Sequence, residues 1–211
     1  MSIYKLKTRF QSLLRPAVSY LHAAGVTANQ VTIFACIASV GLGLWLYFAR
    51  PSVIAFALVP IWMLLRLGLN AIDGMLAREF HQKSTLGAFL NELTDVISDA
   101  ALYLPFATIA PIHPFWVAVV VTLAGLSEFA GALGPTVGAS RRYDGPLGKS
   151  DRAFVFGVLG LWIAVASPLP EWTQWLMPLL AIFLIWTLIN RVTGALREVK
   201  AAETRPPGAA K

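Results

Sequence analysis

The chain has 211 residues, of which 57% are hydrophobic and only 13% are charged. This composition excludes an ordinary soluble domain and is typical of an integral membrane protein. The formal charge of +6 comes from a few clusters of Lys and Arg. We interpret these clusters as markers of cytoplasmic loops and not as a nucleic-acid-binding surface. The single cysteine, Cys36, excludes an internal disulfide.

The predicted elements begin with residues 1–21, where basic and apolar side chains alternate. This pattern predicts an amphipathic helix lying on an anionic membrane surface. Six apolar segments follow within residues 22–195, ending near residues 49, 78, 110, 138, 166 and 190. Residues 196–211 are expected to form a disordered cytoplasmic tail. The predicted fold class is an all-α integral membrane protein with six transmembrane helices after an amphipathic interfacial helix.

The distribution of basic residues predicts the orientation. If the first helix is cytoplasmic, only Arg50 falls on the far side, and Arg66 lies within the membrane. Because cytoplasmic loops carry the excess of Lys and Arg, both termini are expected in the cytoplasm, as in a bacterial inner membrane protein.

Two polar stripes mark the second and third apolar segments. Asn70, Asp73 and Ala77 lie at i, i+3 and i+7, and Asn91, Asp95 and Asp99 lie at i, i+4 and i+8. On helices, each set forms one face. The connector between the segments is short, so we expect antiparallel neighbours whose stripes face each other around an oxygen-lined pocket.

Ionised carboxylates in a membrane must be paired or metal-bound. Oxygen ligands suit Mg²⁺ or Mn²⁺, and Mg²⁺ commonly takes substrate phosphates as further ligands. The pocket therefore suggests a phosphate-containing substrate. The alternative is that hydrogen bonds, or Arg66 and Arg78, satisfy these carboxylates without any metal.

The same stretch resembles the signature of the CDP-alcohol phosphotransferase family, Asp-x-x-Asp-Gly-x-x-Ala-Arg, eight residues, then Gly-x-x-x-Asp-x-x-x-Asp. The matching positions are Asp73, Gly74, Ala77, Arg78, Gly87 and Asp95. Asn70 and Asn91 stand where the family usually has its first and third aspartates. An amide oxygen can bind a cation but brings no charge, so metal affinity should fall. Asp99, one turn beyond Asp95, is the expected substitute.

The resemblance implies displacement of CMP from CDP-diacylglycerol by the hydroxyl group of a small polar alcohol. It implies Asp95 as the catalytic base and a homodimer among membrane lipids, since dimers are common in the family. The expected ligands of Mg²⁺ or Mn²⁺ are Asn70, Asp73, Asn91, Asp95 and Asp99. The expected CDP contacts are Asn29, Thr32, Gly74, Ala77, Arg78, Ser84 and Gly87.

The loop before the fifth apolar segment is the candidate acceptor site. Lys149 and Arg152 lie at a predicted helix start, where free amides and the helix dipole favour anions. Arg141 adds charge, and a phosphorylated acceptor would suit this group. The alternative is that these basic residues only set the topology.

Two other functions also fit these residues. The two asparagines fit an inactive relative that binds lipid, and buried carboxylates also occur in ion or metal transporters. Arg66, one turn before Asn70, is expected either to pair with Asp99 or to contact a phosphate. Glu128 is a further charge within the membrane, and the sequence does not name its partner.

Overall fold

The computed structural model describes residues 3–204, with side chains from residue 9 onward. The side chains of Lys5 and Lys7 in the predicted amphipathic helix, and residues 205–211 of the predicted tail, lie outside the described residues. Seven α-helices account for most of the described range: α1 (Ile3–Ala23), α2 (Ala28–Ala49), α3 (Leu58–Glu79), α4 (Thr85–Tyr103), α5 (Pro114–Leu133), α6 (Lys149–Ala166) and α7 (Leu176–Glu203). Short 3-10 segments join several of them: Val53–Ala57, Leu104–Thr108, Gly134–Val137 and Glu171–Trp175.

Local sequence explains where two helices begin or end. Thr27 caps α2, because its hydroxyl accepts from the Gln30 N–H at 3.3 Å while the Gln30 side chain accepts from the Thr27 N–H at 2.8 Å. α4 ends at Tyr103 rather than near residue 110, since Pro105 lacks the N–H that a continuing helix needs.

α7 differs from its predicted extent. It runs from Leu176 to Glu203 without a break at Asn190, and it buries Arg191. Residues 196–203 are therefore helical, which corrects the expectation of a disordered segment for that part of the tail. The basic residue that suggested a helix end is instead satisfied inside the bundle.

Four segments are long and apolar enough to cross a membrane: Ala28–Ala49, Val53–Glu79, Pro114–Val137 and Glu171–Glu203. α4 and α6 each contain three charged residues, which keeps them outside that set. Many large apolar side chains on the described helices point outward, as expected where acyl chains replace water. The protein is thus a helical membrane protein, with four candidate spans by length and composition where six were expected.

The helices pack so that α2 lies against both α3 and α4, while α5 contacts α4 and α7. α3 also packs against α1 and α6. α3 and α4 therefore meet through side chains across a gap and not through close backbone packing. A Cβ at Gly43 of α2 would overlap the backbone carbonyl of Ala101 on α4, so the α2–α4 crossing requires glycine.

Two apolar clusters fix this arrangement. The larger one fills the bundle with residues of all the helices from α2 to α7, including Leu102, Phe106 and Phe156. The smaller one joins α1, α2 and α3 through Val18, Val31, Ile72, Met75 and Leu76. Together they position the polar faces of α2, α3, α4 and α6 around one region.

Candidate functional site

Polar side chains of α3 and α4 face each other, as the two stripes predict. Arg66 Nη1 donates to Asp99 Oδ1 at 2.5 Å, and Arg66 Nη2 donates to Asp95 Oδ1 at 3.0 Å. Asn70 Nδ2 donates to the same Asp95 oxygen at 3.4 Å. Of the two expectations for Arg66, the structure shows pairing with Asp99, and it adds Asp95 as a second partner.

Asp73 is held by α2 and not by a cation. It is 6% exposed, and Thr32 Oγ1 donates to its Oδ2 at 2.7 Å. Within residues 9–204 no Lys or Arg forms an ion pair with Asp73, although Asp95 and Lys149 lie within electrostatic range of it. Asp73 is therefore a buried carboxylate with a single hydrogen-bonding side chain and no counter-charge in contact.

Asp95 differs, because both of its carboxylate oxygens are occupied. Oδ1 accepts from Arg66 and Asn70, and Oδ2 forms an ion pair with Lys149 of α6. Arg66 Nη2 also donates to the Asp95 backbone oxygen at 3.1 Å. One oxygen is thus anchored by α3, and the other is held by a flexible lysine.

A larger group of charges, which we name the polar cluster, surrounds this pair. It contains five cations and four carboxylates, a formal charge of +1. Its members are Arg66, Arg141, Lys149, Arg152, Arg191, Glu92, Asp95, Asp99 and Glu128. The positive and negative groups of the polar cluster therefore nearly balance.

Glu128 of α5 ties α6 and α7 into the polar cluster. Arg152 Nη2 donates to its Oε1 at 2.9 Å, and Arg191 Nη1 lies 3.3 Å from its Oε2. Arg191 also donates to the Ser127 carbonyl oxygen at 2.5 Å. Arg191 was not among the predicted site residues, and its only signal in the sequence was the need of an intramembrane Glu128 for a cationic partner.

The positions of Asp99 and Arg152 depart from expectation. Asp99 Oδ1 accepts from Arg66 and its Oδ2 accepts from Arg152 at 3.2 Å, so two guanidinium groups occupy the carboxylate expected to bind metal. Arg152 is 1% exposed and also bonds Glu128 and the Leu147 carbonyl. Arg152 is therefore a structural partner of Asp99 and is not available to an acceptor from solution.

Three of the predicted CDP contacts meet where α2 and α4 begin. A Cβ at Gly87 would lie 2.9 Å from Asn29 Oδ1 and 3.0 Å from Ser84 Oγ, so a larger residue there would displace these side chains. Ser84 also caps α4, because its hydroxyl accepts from the Gly87 N–H at 2.9 Å. A fourth predicted CDP contact, Thr32 of α2, donates its hydroxyl hydrogen bond to Asp73.

The remaining predicted CDP contacts lie on the last turns of α3. Arg78 is exposed and folds back over Gly74, where a Cβ would lie 3.1 Å from its Nη1. Ala77 is half-buried against the small cluster that joins α1, α2 and α3. The exposed Arg78 side chain can thus reach a ligand, whereas Ala77 packs against the smaller apolar cluster.

The two other acceptor candidates are more accessible than Arg152. The side chain of Lys149 is 34% exposed and that of Arg141 is 29% exposed. Arg141 forms an ion pair with Glu92 and stacks over the Tyr143 ring at 5.1 Å. Lys149 is the first residue of α6, whose start is fixed by Asp151 Oδ2 accepting from the Gly148 N–H at 2.9 Å.

The donor set fits one hard cation better than two. Within the part of the chain that the structure describes, no group of three His, Cys, Asp or Glu residues could hold a metal. Asp73 is the one stripe carboxylate without a cationic partner among those residues, and the amide oxygens of Asn70 and the exposed Asn91 belong to the same two stripes. A single carboxylate with amide oxygens suits Mg²⁺ or Mn²⁺, with less charge than an all-aspartate site would supply.

Comparison with known proteins decides the family. A family model described as CDP-alcohol phosphatidyltransferase matches residues 25–186. The chain belongs to the CDP-alcohol phosphatidyltransferase family. It is therefore a transferase of phospholipid synthesis located in a membrane.

Two curated relatives are similar over nearly their whole length. The inner membrane protein YnbA of Escherichia coli (strain K12) is 45% identical over 199 residues, which cover 93% of this chain and 97% of that protein. The archaetidylinositol phosphate synthase of Aeropyrum pernix is 28% identical over 199 residues, covering 92% and 97%.

Solved structures show the same fold. Phosphatidylinositol phosphate synthase (PgsA1) of Mycobacterium tuberculosis with CDP-DAG bound has a TM-score of 0.70 at 22% identity, covering 93% of this chain and 96% of that one. The complex of the same protein with manganese and citrate has the same TM-score and identity, with coverages of 93% and 91%. At this identity the likeness concerns the fold.

Proposed function

We propose that this transferase moves a phosphatidyl group from CDP-diacylglycerol to the hydroxyl group of a small polar alcohol and releases CMP. The observation that carries the proposal is the position of Asp95, anchored through one oxygen by Arg66 and Asn70 near the buried Asp73. Family membership and a structural relative with CDP-DAG bound support the donor.

In the proposed reaction, Asp95 is the base. The acceptor hydroxyl oxygen attacks the phosphorus that carries the diacylglycerol, and the bond from this phosphorus to the bridging oxygen breaks. The electron pair leaves with CMP, and the hydroxyl proton passes to Asp95 Oδ2. Arg66 and Asn70 keep the other carboxylate oxygen in place while this happens.

The CDP portion is proposed to lie where α2 and α4 begin. Asn29, Ser84 and Gly87 form one contiguous surface there, and Thr32 orients Asp73. The exposed Arg78, folded over Gly74, would contact the diphosphate, since a guanidinium binds phosphate oxygens in pairs.

One Mg²⁺ or Mn²⁺ is proposed at Asp73, with Asn70 and Asn91 as neutral oxygen ligands. Its contribution when bound would be to neutralise the diphosphate charge. We leave Asp95 and Asp99 out of the metal ligands, because Arg66, Lys149 and Arg152 already occupy their oxygens.

Further proposals concern placement in the cell. We propose six spans with α4 and α6 included, the basic α1 at the membrane surface, and both termini on the cytoplasmic side of a bacterial inner membrane. The support is the excess of basic residues on that side and the similarity to an inner membrane protein. A homodimer is proposed from the resemblance to the family.

The test is CMP release by the purified protein in lipid vesicles supplied with CDP-diacylglycerol, Mg²⁺ or Mn²⁺, and a panel of phosphorylated and plain alcohols. We expect CMP and a new phospholipid in equal amounts with at least one acceptor. A second candidate, an inactive lipid-binding relative, is favoured by Asn70 and Asn91. It would give no CMP with any acceptor although CDP-lipid still binds.

A further inference from the structure

The Asp95 carboxylate is asymmetric in its contacts. Oδ1 is held by two α3 side chains, whereas among the described residues only Lys149 pairs with Oδ2. Oδ2 has fewer contacts than Oδ1 and is therefore the oxygen suited to act as base. Lys149 covers this oxygen and hinders the approach of a hydroxyl group.

The ammonium group of Lys149 can move away from Asp95. It is the first residue of α6, its side chain is 34% exposed, and it has no ion-pair partner other than Asp95 among the described residues. This ion pair is partly open to solvent, since the side chains of Lys149 and Asp95 are 34% and 20% exposed. A ligand anion near the start of α6 can therefore compete with Asp95 for the ammonium group.

The other cations of the polar cluster are less free to do this. Arg152 is buried between Asp99 and Glu128, and Arg66 is held by both Asp95 and Asp99. Arg141 forms an ion pair with Glu92 and lies 3.9 Å from Glu128. Lys149 is thus the only cation of the polar cluster that is both accessible and bound to the base.

We propose that Lys149 masks the catalytic base until an anionic acceptor arrives. The negative group of the acceptor draws the Lys149 ammonium away from Asp95, and the freed Oδ2 then takes the proton of the acceptor hydroxyl. Lys149 is a positioning residue here, since it acts through Asp95. This inference rests on the proposed function and narrows its acceptor to an alcohol that carries a phosphate or a similar anionic group.

The Lys149–Asp95 ion pair also limits hydrolysis of the donor by water. Without an acceptor, water could attack the same phosphorus and hydrolyse CDP-diacylglycerol to CMP and phosphatidic acid. With Oδ2 covered by Lys149, the base is not available to water, and the donor is preserved. The masked site therefore suppresses hydrolysis and favours anionic acceptors through the same ion pair.

The experiment measures acceptor-free CMP release and transfer in the same vesicles for the wild-type protein, Lys149→Met and Lys149→Arg. Lys200→Met, which changes an exposed lysine on α7, is the matched control. We expect Lys149→Met to raise acceptor-free release by about tenfold, a small part of the ~10²–10⁴-fold that a positioned base contributes. Its preference for phosphorylated over plain acceptors should be lost, while Lys149→Arg should keep both properties.

A double variant identifies the route. Adding Asp95→Asn to Lys149→Met should abolish the gained hydrolysis, because an amide cannot take the proton that the carboxylate would accept. If the wild type transfers normally but Lys149→Met hydrolyses no faster, Lys149 only binds acceptor and the masking proposal is wrong. If the wild type releases no CMP with any acceptor, the proposed function itself fails. These two failures are therefore distinguishable.

Discussion

At the scale of single residues, Glu128 is the carboxylate on which the buried cations depend. Arg152 and Arg191 are 1% and 2% exposed, and both contact Glu128. Removing its charge would leave two guanidinium groups without their shared counter-ion in the bundle interior. Losing one partner of a buried ion pair is far more costly than never having had the pair.

We therefore predict that Glu128→Gln lowers the stability of the protein by about 3–5 kcal/mol. The measurement is thermal unfolding in detergent. The control is Glu79→Gln, since the Glu79–Arg15 pair is half-exposed and should contribute about 1 kcal/mol or less. Equal unfolding temperatures for the two variants would show that the cluster does not depend on Glu128.

Sequence spacing predicted contacts between helices that are adjacent in the chain. The i, i+4 spacing of Asn91, Asp95 and Asp99 predicted one face of α4, and Arg66 of α3 does contact two of these residues. The partners of Glu128 could not be named, because Arg152 and Arg191 come from helices far along the chain. The burial of Arg152 was missed for the same reason, since it depends on how α4, α5 and α6 meet.

At the level of the helices, the crossing of α2 and α4 places the starts of these two helices side by side, where CDP is proposed to bind. Gly43 is packed directly against the Ala101 carbonyl, so any side chain would separate the helices. Gly41, on the same helix, faces open space. Substitutions at Gly43 and Gly41 therefore test whether this crossing positions Asn29 beside Gly87.

We predict that Gly43→Ala destabilises the protein by about 1–3 kcal/mol, the usual cost of inserting a methyl group into a packed interior. It should also weaken CDP-lipid binding, because Asn29 and Gly87 would move apart. Gly41→Ala should change neither property. Unfolding midpoints and CDP-lipid titrations measure both, and a Gly43→Ala protein that matches Gly41→Ala would contradict the close crossing.

The start of α2 follows from its cap at Thr27, which depends on a few neighbouring residues. The end of α4 was expected near residue 110, although Pro105 ends the helix at Tyr103 for an equally local reason. The end of α7 was misplaced because Arg191 suggested a cytoplasmic boundary, whereas Glu128 pairs with it inside the bundle. Tertiary pairing overrode the local charge signal.

At the scale of the whole molecule, the arrangement in the membrane depends on α4 and α6. Four helices are candidate spans by length and composition, and the six-span proposal adds these two charged helices. Their charges are largely paired within the polar cluster, which lowers the cost of placing them in a membrane. With six spans, His113 lies outside and Tyr143 lies on the cytoplasmic side. With four spans, the two positions are exchanged.

We predict that a cysteine at His113 reacts with a membrane-impermeant maleimide added outside right-side-out vesicles, and that a cysteine at Tyr143 does not. Both substitutions are made in Cys36→Ala protein, so that only the new thiol reacts. Both positions are exposed in the structure. The opposite labelling pattern would indicate four spans and a cytoplasmic His113.

The proposed mechanism depends on Asp95 as the base of a phosphatidyl transfer from CDP-diacylglycerol. The most direct measurement is the turnover of Asp95→Asn with the best acceptor, together with CDP-lipid binding and unfolding midpoint, against Glu171→Gln, an exposed carboxylate outside the polar cluster. We predict that Asp95→Asn binds the donor and stays folded but loses about 10²-fold or more of its CMP release, while Glu171→Gln keeps full activity. Full turnover by Asp95→Asn would contradict the claim.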